Sequence, residues 1–406
     1  MISGRDIVCL SFVAWDDHWG TPQQWMSRLA HENRVFFVDQ PVSPLSLVTG
    51  IRRRDAVLRQ FRRWRRGPQE VAPNVWQAAP PPVLPFRFNA VVNRLNARIL
   101  RRWLARETQR LGFRDAVYWN FQPSLPALAS AVAPALSVYH CVDDFASVPH
   151  WWNPASNVRE REAECCREAD VVICTGRKLV ESRRQYNPEI HFVPEGADVR
   201  LFLSAQAPET AVPEDIADLR PPVIGYVGVL DFRLDTALLA FLAERHPDWS
   251  LALVGPQKSD TEDLTRLREM PNVRFLGNRP IAQLPAYIKK MDVCTIPYVL
   301  NDYTHHIFPL KLYEYMAAGK PIVATDMEEM RPYEGAEMAI GRTREDFLAA
   351  VERALAEDSP ERIAARQRAA LGESWDDRVE QGSAILARLL EARAARAGAP
   401  EEALVP

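Results

Sequence analysis

The sequence predicts two doubly wound α/β domains joined by a short linker. Three observations lead there: short apolar runs alternate with longer amphipathic stretches throughout, the pattern restarts after a Pro- and Ala-rich stretch, and 406 residues suffice for two domains. The expected division is a first domain over residues 1–205, a linker over 206–222, a second domain over 223–374 and a terminal helix and tail over 375–406.

In the first domain the apolar runs predict strands at residues 6–11, 34–38, 75–78, 116–119, 136–140, 171–175 and 190–193. A helix over 22–30 follows the first strand, and a long Arg-rich amphipathic helix spans 89–111. The linker is rich in Pro and Ala and poor in large apolar residues. The second domain begins with a strand at 223–228, a helix at 236–244 and a strand at 250–255. Strands at 273–276, 293–297 and 321–325 follow, separated by helices near 260–269, 281–291 and 311–318. Beyond it, the spacing of Trp375, Val379, Ile385, Leu386, Leu389 and Leu390 gives a helix with a narrow apolar stripe, expected to cross back to the first domain. The Ala/Glu/Pro-rich tail from Ala394 is expected to fray.

Apolar residues at 47% and charged residues at 25% exclude a largely disordered chain. The net charge of −3 hides an asymmetry: residues 1–205 carry 27 Lys and Arg against 20 Asp and Glu, and the remainder 23 against 33. Much of the basic excess sits at residues 51–66. There Arg52, Arg53, Arg54, Arg59, Arg62, Arg63, Arg65 and Arg66 surround Ile51, Val57, Leu58, Phe61 and Trp64, with Asp55 the lone acid. A helix of this composition presents apolar residues beside a cationic face, so the expected partner is an anionic membrane surface, with a solvated helix face that has no partner as the alternative. Nucleic acid is not expected, because nothing else resembles a reader of bases or backbone. The six cysteines form no CxxC pair and have no His at zinc-ligand spacing, which predicts reduced thiols and no structural metal. Met1 leads straight into an apolar strand and no run approaches about 18 apolar residues, so neither a signal peptide nor a membrane span is expected. The expected location is the cytoplasm, peripheral at the inner face of the cell membrane.

The segment with the most chemistry is residues 305–325, HHIFPLKLYEYMAAGKPIVAT. Pro309 suits the first turn of a helix and Gly319 with Lys320-Pro321 ends it, giving loop, helix, tight turn and buried strand. A helix N-terminus at the carboxyl ends of parallel strands favours phosphate. Lys311 adds a point charge there, and Glu314, one turn in, can accept hydrogen bonds from a ribose diol. On helix chemistry alone the segment is equally an ordinary helix with Lys311 and Glu314 as a surface pair.

This segment resembles the donor-site signature of GT-B glycosyltransferases of the large family 4 type. The resemblance extends to GYVGVLDFRLD at residues 225–235, LVGP at 253–256, NVRFLGNRP at 272–280 and FVPEGADVRLF at 192–202, in the family's order and spacing. It implies two Rossmann-like domains facing a cleft, with a nucleoside diphosphate sugar, a UDP-sugar foremost, held by the C-terminal one. No cofactor or metal is implied. The donor residues it implies are Gly228, Arg233, Gly255, Asn278, Arg279, Tyr298, His306, Pro309, Leu310, Lys311 and Glu314. Arg233 and Lys311 take the electrostatic task that a metal performs in other glycosyltransferase folds. One departure stands out: the family's Glu-x7-Glu pattern has its first Glu where this chain has His306. The Pro-x-Lys-x-x-Glu-Tyr form is also similar to xanthan-type glucuronosyltransferases, which invert, so the stereochemical outcome stays open.

The acceptor side is expected in the first domain. The loop after its first strand carries Trp15, Asp16, Asp17, His18, Trp19 and Gly20, whose aromatic faces suit sugar rings or equally close a hydrophobic cap. Past the strand at 136–140 lie His140, Asp143 and Asp144. An inverting transfer needs a base near the acceptor hydroxyl, for which Asp143, Asp144 and Asp16 are candidates; an Asp capping the next helix is the structural alternative. His140, on the strand, reads as a wall residue. The expected function is sugar transfer from a nucleoside diphosphate to a glycan, lipid-linked or small-molecule acceptor. A sugar-nucleotide 2-epimerase-like enzyme and an inactive nucleotide-sugar-binding subunit are the alternatives.

Overall fold

The computed structural model describes residues 1–17, 19–45, 54–85, 90–123, 128–147, 155–258 and 262–397. The chain forms two compact units, Met1–Pro194 with Arg378–Pro406, and Glu195–Asp377.

Unit 1 is built on eight strands: β1 (Asp6–Leu10), β2 (Arg34–Val38), β3 (Gln69–Ala72), β4 (Val75–Ala78), β5 (Val117–Asn120), β6 (Leu136–Cys141), β7 (Val171–Cys174) and β8 (Ile190–Phe192). Their order is β3-β4-β2-β1-β5-β6-β7-β8. All neighbours are parallel except β3, which returns antiparallel on β4. β3 escapes an apolar-run reading because its QEVA side chains are almost all exposed; Asn74, at φ 61°, turns the chain into β4. β1, β6 and β7 are buried at every position, as strands covered on both faces must be.

The described helices of unit 1 are α1 (Thr21–Leu29), α2 (Arg54–Arg66), α3 (Ala90–Arg110), α4 (Ala155–Glu168) and α5 (Arg177–Arg183). Val8, Leu10, Phe36 and Tyr118 of the sheet meet Leu100, Trp103 and Leu104 of α3 in one core, with Trp64 of α2 packed at its edge. A second core gathers Tyr139, Cys141, Cys165, Cys166, Val172 and Cys174. All six cysteines are buried free thiols.

Unit 2 carries six parallel strands, β9 (Val223–Val227), β10 (Ser250–Val254), β11 (Val273–Gly277), β12 (Val293–Ile296), β13 (Ile322–Thr325) and β14 (Ala339–Gly341), in the order β11-β10-β9-β12-β13-β14. The order reverses between β9 and β12, so their carboxyl ends flank the crevice where open α/β sheets bind ligands. The described helices are α6 (Val199–Leu203), α7 (Glu214–Ala217), α8 (Thr236–Arg245), α9 (Glu262–Glu269), α10 (Leu284–Lys290), α11 (Lys311–Ala317), α12 (Arg344–Glu357) and α13 (Pro360–Ala370), while α14 (Trp375–Ala397) only begins in this unit. Asp235 caps α8 by accepting the Leu238 N–H at 2.8 Å, and Thr343 with Asp346 forms a capping box on α12.

The division falls after Pro194, upstream of the boundary expected at 205/206. Polarity is no obstacle to packing here: the Gln206 amide donates to the Ala318 carbonyl at 2.7 Å, and α7 lies inside the stretch expected as linker. From Arg378 onward α14 belongs to unit 1. The Ile2 N–H donates to the Ser383 hydroxyl at 2.5 Å, and Gly382 leaves the room that Trp25 fills, since a Cβ there would come within 2.4 Å of the indole.

Candidate functional site

In unit 2 the site grows from two glycines at neighbouring strand ends. Gly228 follows β9 at φ 152° and Gly255 follows β10 at φ 146°, backbone conformations that side chains rarely adopt. The Gly228 N–H donates to the Val254 carbonyl at 2.8 Å. A Cβ on Gly255 would stand 1.9 Å from the Gly228 carbonyl oxygen, and one on Gly228 would stand 2.2 Å from Lys311 Cε. Gly228 therefore lets the first side chain of α11 lie directly on the end of β9.

Lys311 does not pair with Glu314. Its Nζ donates to the Tyr298 hydroxyl at 2.8 Å and lies 5.3 Å and 5.4 Å from the Tyr226 and Tyr298 ring centroids. Arg233 reaches the same tyrosine, with its guanidinium carbon 5.7 Å from the Tyr298 ring, while Nε and Nη2 donate to Asp231 at 2.9 Å and 2.8 Å. Two backbone bonds tie the arginine loop to the end of β12, from Val299 N–H to the Arg233 carbonyl and from Asp235 N–H to the Pro297 carbonyl. Burial pushes the Tyr298 phenol up, but Lys311 and Arg233 outweigh it and leave the phenol below its ordinary value.

Glu314 lies one turn into α11, half-buried, and its carboxylate makes no hydrogen bond or ion pair among the described residues. Burial pushes its carboxyl up to about 7 against the opposing pull of Lys311. Pro309 is buried just before the helix and accepts the Leu312 N–H, and Leu310 occupies the N-cap position. His306 is half-buried, with Nδ1 2.5 Å from the Asp302 carbonyl oxygen; beside it, the buried Nδ1 of His305 has no partner among the described residues.

The structure departs from the expected set at the end of β11. Asn278 is exposed, and the Arg279 guanidinium is taken by Asp215 at 2.6 Å and by the Tyr287 hydroxyl at 2.5 Å. Arg279 thus fastens α7 to α10. Tyr226 and Asp231 were missed: Tyr226 reads as one more apolar strand residue, and Asp231 as part of a polar loop.

In unit 1, Trp15 is buried edge-on against Phe37 with ring centroids 5.2 Å apart, and Trp19, 46% exposed, covers it at 5.4 Å. This is the hydrophobic-cap arrangement with one indole face left to solvent. Gly20 is the N-cap of α1, where its N–H donates to Gln23 Oε1 at 3.0 Å; His18 lies outside the described residues. Asp16 is not open as a base, because both its oxygens accept from Arg63 Nη2 at 2.8–2.9 Å. Arg63 also reaches the buried Asp39 at 2.5 Å, where Gln77 donates at 2.9 Å. Burial pushes Asp39 up to about 6 despite Arg63.

Asp144 is a structural residue. One oxygen accepts from Arg183 at 2.7 Å and the other from Ser147 at 2.5 Å, while Arg183 also holds Glu162 at 2.8 Å. With both oxygens occupied in a buried ion network, its expected role as a base gives way. Asp144→Asn is expected to lower stability by about 1–2 kcal/mol, because the buried Arg183 loses a charged acceptor; an unchanged urea midpoint contradicts this. Asp143 is half-buried beside it. His140 is a wall residue: fully buried, it accepts from Trp119 Nε1 at 3.3 Å and packs against Trp25 and Phe121. Burial holds its pKa down at about 3, so it is neutral at physiological pH.

Two doubly wound sheets, with cationic side chains on glycine-lined strand ends at the switch point of the second, form the arrangement with which open α/β sheets receive anionic ligands. Residues 221–357 match the family model described as Glycosyl transferases group 1. Over 270 residues, 62% of this chain and 66% of the relative, it is 28% identical to the putative teichuronic acid biosynthesis glycosyltransferase TuaH of Bacillus subtilis. The match thus spans just under two thirds of that relative's length. Among solved structures it resembles sucrose-phosphate synthase from Thermosynechococcus elongatus, with a TM-score of 0.66 at 17% identity over 96% of this chain and 100% of that one. It also resembles Anabaena HepE in complex with UDP and glucose, with a TM-score of 0.61 at 17% identity over 94% of this chain and 99% of that one. The fold is GT-B. Among the described residues no cluster of His, Cys, Asp or Glu is arranged to hold a metal ion, and no helix is long and apolar enough to cross a membrane.

Proposed function

We propose that this chain transfers a sugar from a UDP-sugar to a glycan or lipid-linked acceptor, without a bound metal, at the cytoplasmic face of an anionic membrane. The observation that carries the reading is the placement of Lys311 against Gly228 and beside Arg233, with an unpartnered Glu314 one turn further along α11. Two cations at a strand end that admits close backbone approach suit a diphosphate, and a carboxylate beyond them suits a ribose diol. The HepE complex with UDP and glucose supports uridine as the base, and TuaH, named for teichuronic acid biosynthesis, supports a role in glycan assembly. If the transfer inverts, Asp143, half-buried past the end of β6, is the proposed base.

A thermal-shift series with UDP, GDP and ADP tests the donor assignment. At a hundred times its Kd a ligand adds about 2.7 kcal/mol of stability, so UDP should raise Tm and the others less. Equal shifts from all three contradict uridine. In the same preparation, transfer should survive EDTA, and Asp143→Asn should lower kcat while leaving UDP affinity unchanged. Activity lost on chelation and restored by Mg²⁺, or UDP affinity lost in the Asp143 variant, speaks against these roles.

The membrane reading rests on α2. Arg59, Arg62, Arg65 and Arg66 are exposed there and make no side-chain ion pair or hydrogen bond among the described residues, whereas Arg63 turns inward to Asp39. Arg52 and Arg53 lie outside the described residues. Each arginine near an anionic surface contributes about 1 kcal/mol. Sedimentation with vesicles should show binding to anionic but not zwitterionic lipid, falling with salt and lost when these four arginines become Ser. No binding at low salt contradicts it.

A further inference from the structure

The described part of α3 exposes Val91, Arg94, Leu95, Arg98 and Arg102 at spacings of three and four, which place them along one helix face. Val91 is 67% exposed and Leu95 45%. Leu84, 41% exposed, is tied to the buried side of the same helix, its backbone N–H and carbonyl both bonding the Asn96 side chain, at 2.8 Å and 3.1 Å. On α2, Trp64 packs against the core cluster that holds Val83 and Leu100, and Leu58 is 47% exposed beside Arg59 and Arg62 in sequence. From residue 90 to 106 the sequence has no acid, and Arg98 and Arg102 make no ion pair or hydrogen bond among the described residues.

Exposed aliphatic side chains on one face mark an interaction site, and on this face of α3 every charged residue is an arginine. An acyl-chain layer beneath anionic headgroups satisfies both features, since aliphatic tips enter the apolar layer while the arginines stay at the phosphates. We propose that Val91 and Leu95 insert into an anionic bilayer, with Arg98 and Arg102 meeting its headgroups. This rests on the membrane reading and adds an apolar anchor to it. The attachment then has two components: the α2 arginines capture the membrane and are screened by salt, and the α3 tips hold it and are not.

The test uses the full chain, vesicles of mixed phosphatidylglycerol and phosphatidylcholine, and a variant carrying Val91→Ser and Leu95→Ser. Both positions are exposed, and an unchanged Tm checks the fold. The parent should retain a residual partition at about 0.5 M NaCl, where the Debye length is only a few ångströms. The variant should bind at low salt yet partition about tenfold more weakly at high salt, from the loss of buried apolar area. Identical partition of parent and variant at every salt overturns the apolar anchor and leaves the membrane reading standing. Failure of the parent to bind at low salt overturns both. A concentration-dependent dimer that the variant abolishes assigns the face to a second copy of the chain and overturns the proposal.

Discussion

Glu314→Gln is expected to weaken UDP binding about tenfold to a hundredfold at pH 8. A charge-assisted acceptor for ribose hydroxyls is worth about 1.5–3 kcal/mol, and the amide keeps the shape but loses the charge. The pH dependence gives the prediction a signature. Burial raises the Glu314 carboxyl from 4.5 to about 7, so near pH 6 the unliganded chain holds a proton there. A diol that prefers the carboxylate must expel that proton, so affinity should rise with pH up to about 7 and then level. UDP's own phosphate titrates nearby, which makes the informative quantity the difference between parent and Gln variant. Calorimetry in buffers of different ionisation enthalpy should show extra proton release near pH 6 in the parent only. The stability consequence runs the other way. A carboxyl whose folded pKa is raised contributes fully below about 4.5 and loses that contribution as pH rises through 7. The Gln variant should therefore gain stability relative to the parent above pH 7, by about 2 kcal/mol once partial exposure is allowed for. Identical UDP affinity and proton release in parent and variant would remove Glu314 from the site.

The two glycines should separate folding from binding. Gly255→Ala places a methyl 1.9 Å from the Gly228 carbonyl oxygen at a left-handed φ, and neither backbone can yield without parting β9 from β10. The expected cost exceeds about 4 kcal/mol, in the range of the most damaging single substitutions. Gly228→Ala meets instead the far end of a flexible side chain, Lys311 Cε, at 2.2 Å. That residue can swing away, leaving about 1–3 kcal/mol of backbone strain, but it then leaves Tyr298 and the diphosphate position. UDP affinity should fall in a chain that still melts cooperatively. Comparable Tm losses in both variants, or full UDP affinity in Gly228→Ala, would contradict the interlocked strand ends.

Much of the frame was legible from local pattern. The restart of apolar runs at residue 223, and the helix entered by Pro309 and closed by Gly319, depend on neighbours in sequence, and the structure has β9 and α11 there. β3 and β14 were not read, since one is exposed and the other spans three residues, too few for a period to show. Side-chain commitments were the larger omission. Asp144 and Arg183 are 39 residues apart, Asp16 and Arg63 are 47 apart, and Arg279 and Asp215 are 64 apart, so no local spacing announces that these charges neutralise one another. Asp39 and its pKa near 6 were missed for the same reason: burial and a distant arginine make it unusual, and neither is visible in the run VFFVDQ. Lys311 and Glu314 carried a spacing that suits a surface pair, yet Tyr298 takes the lysine and leaves the carboxylate unbonded.

Hydrogen exchange of the full chain with and without saturating UDP tests most directly whether the second unit holds the donor. The account predicts slowed exchange at residues 228–235, 298–300 and 309–314, the strand ends and helix start that carry Gly228, Arg233, Tyr298, Lys311 and Glu314, with that protection reduced in Glu314→Gln. Protection confined to unit 1, or protection in unit 2 that leaves these three stretches untouched, would contradict it.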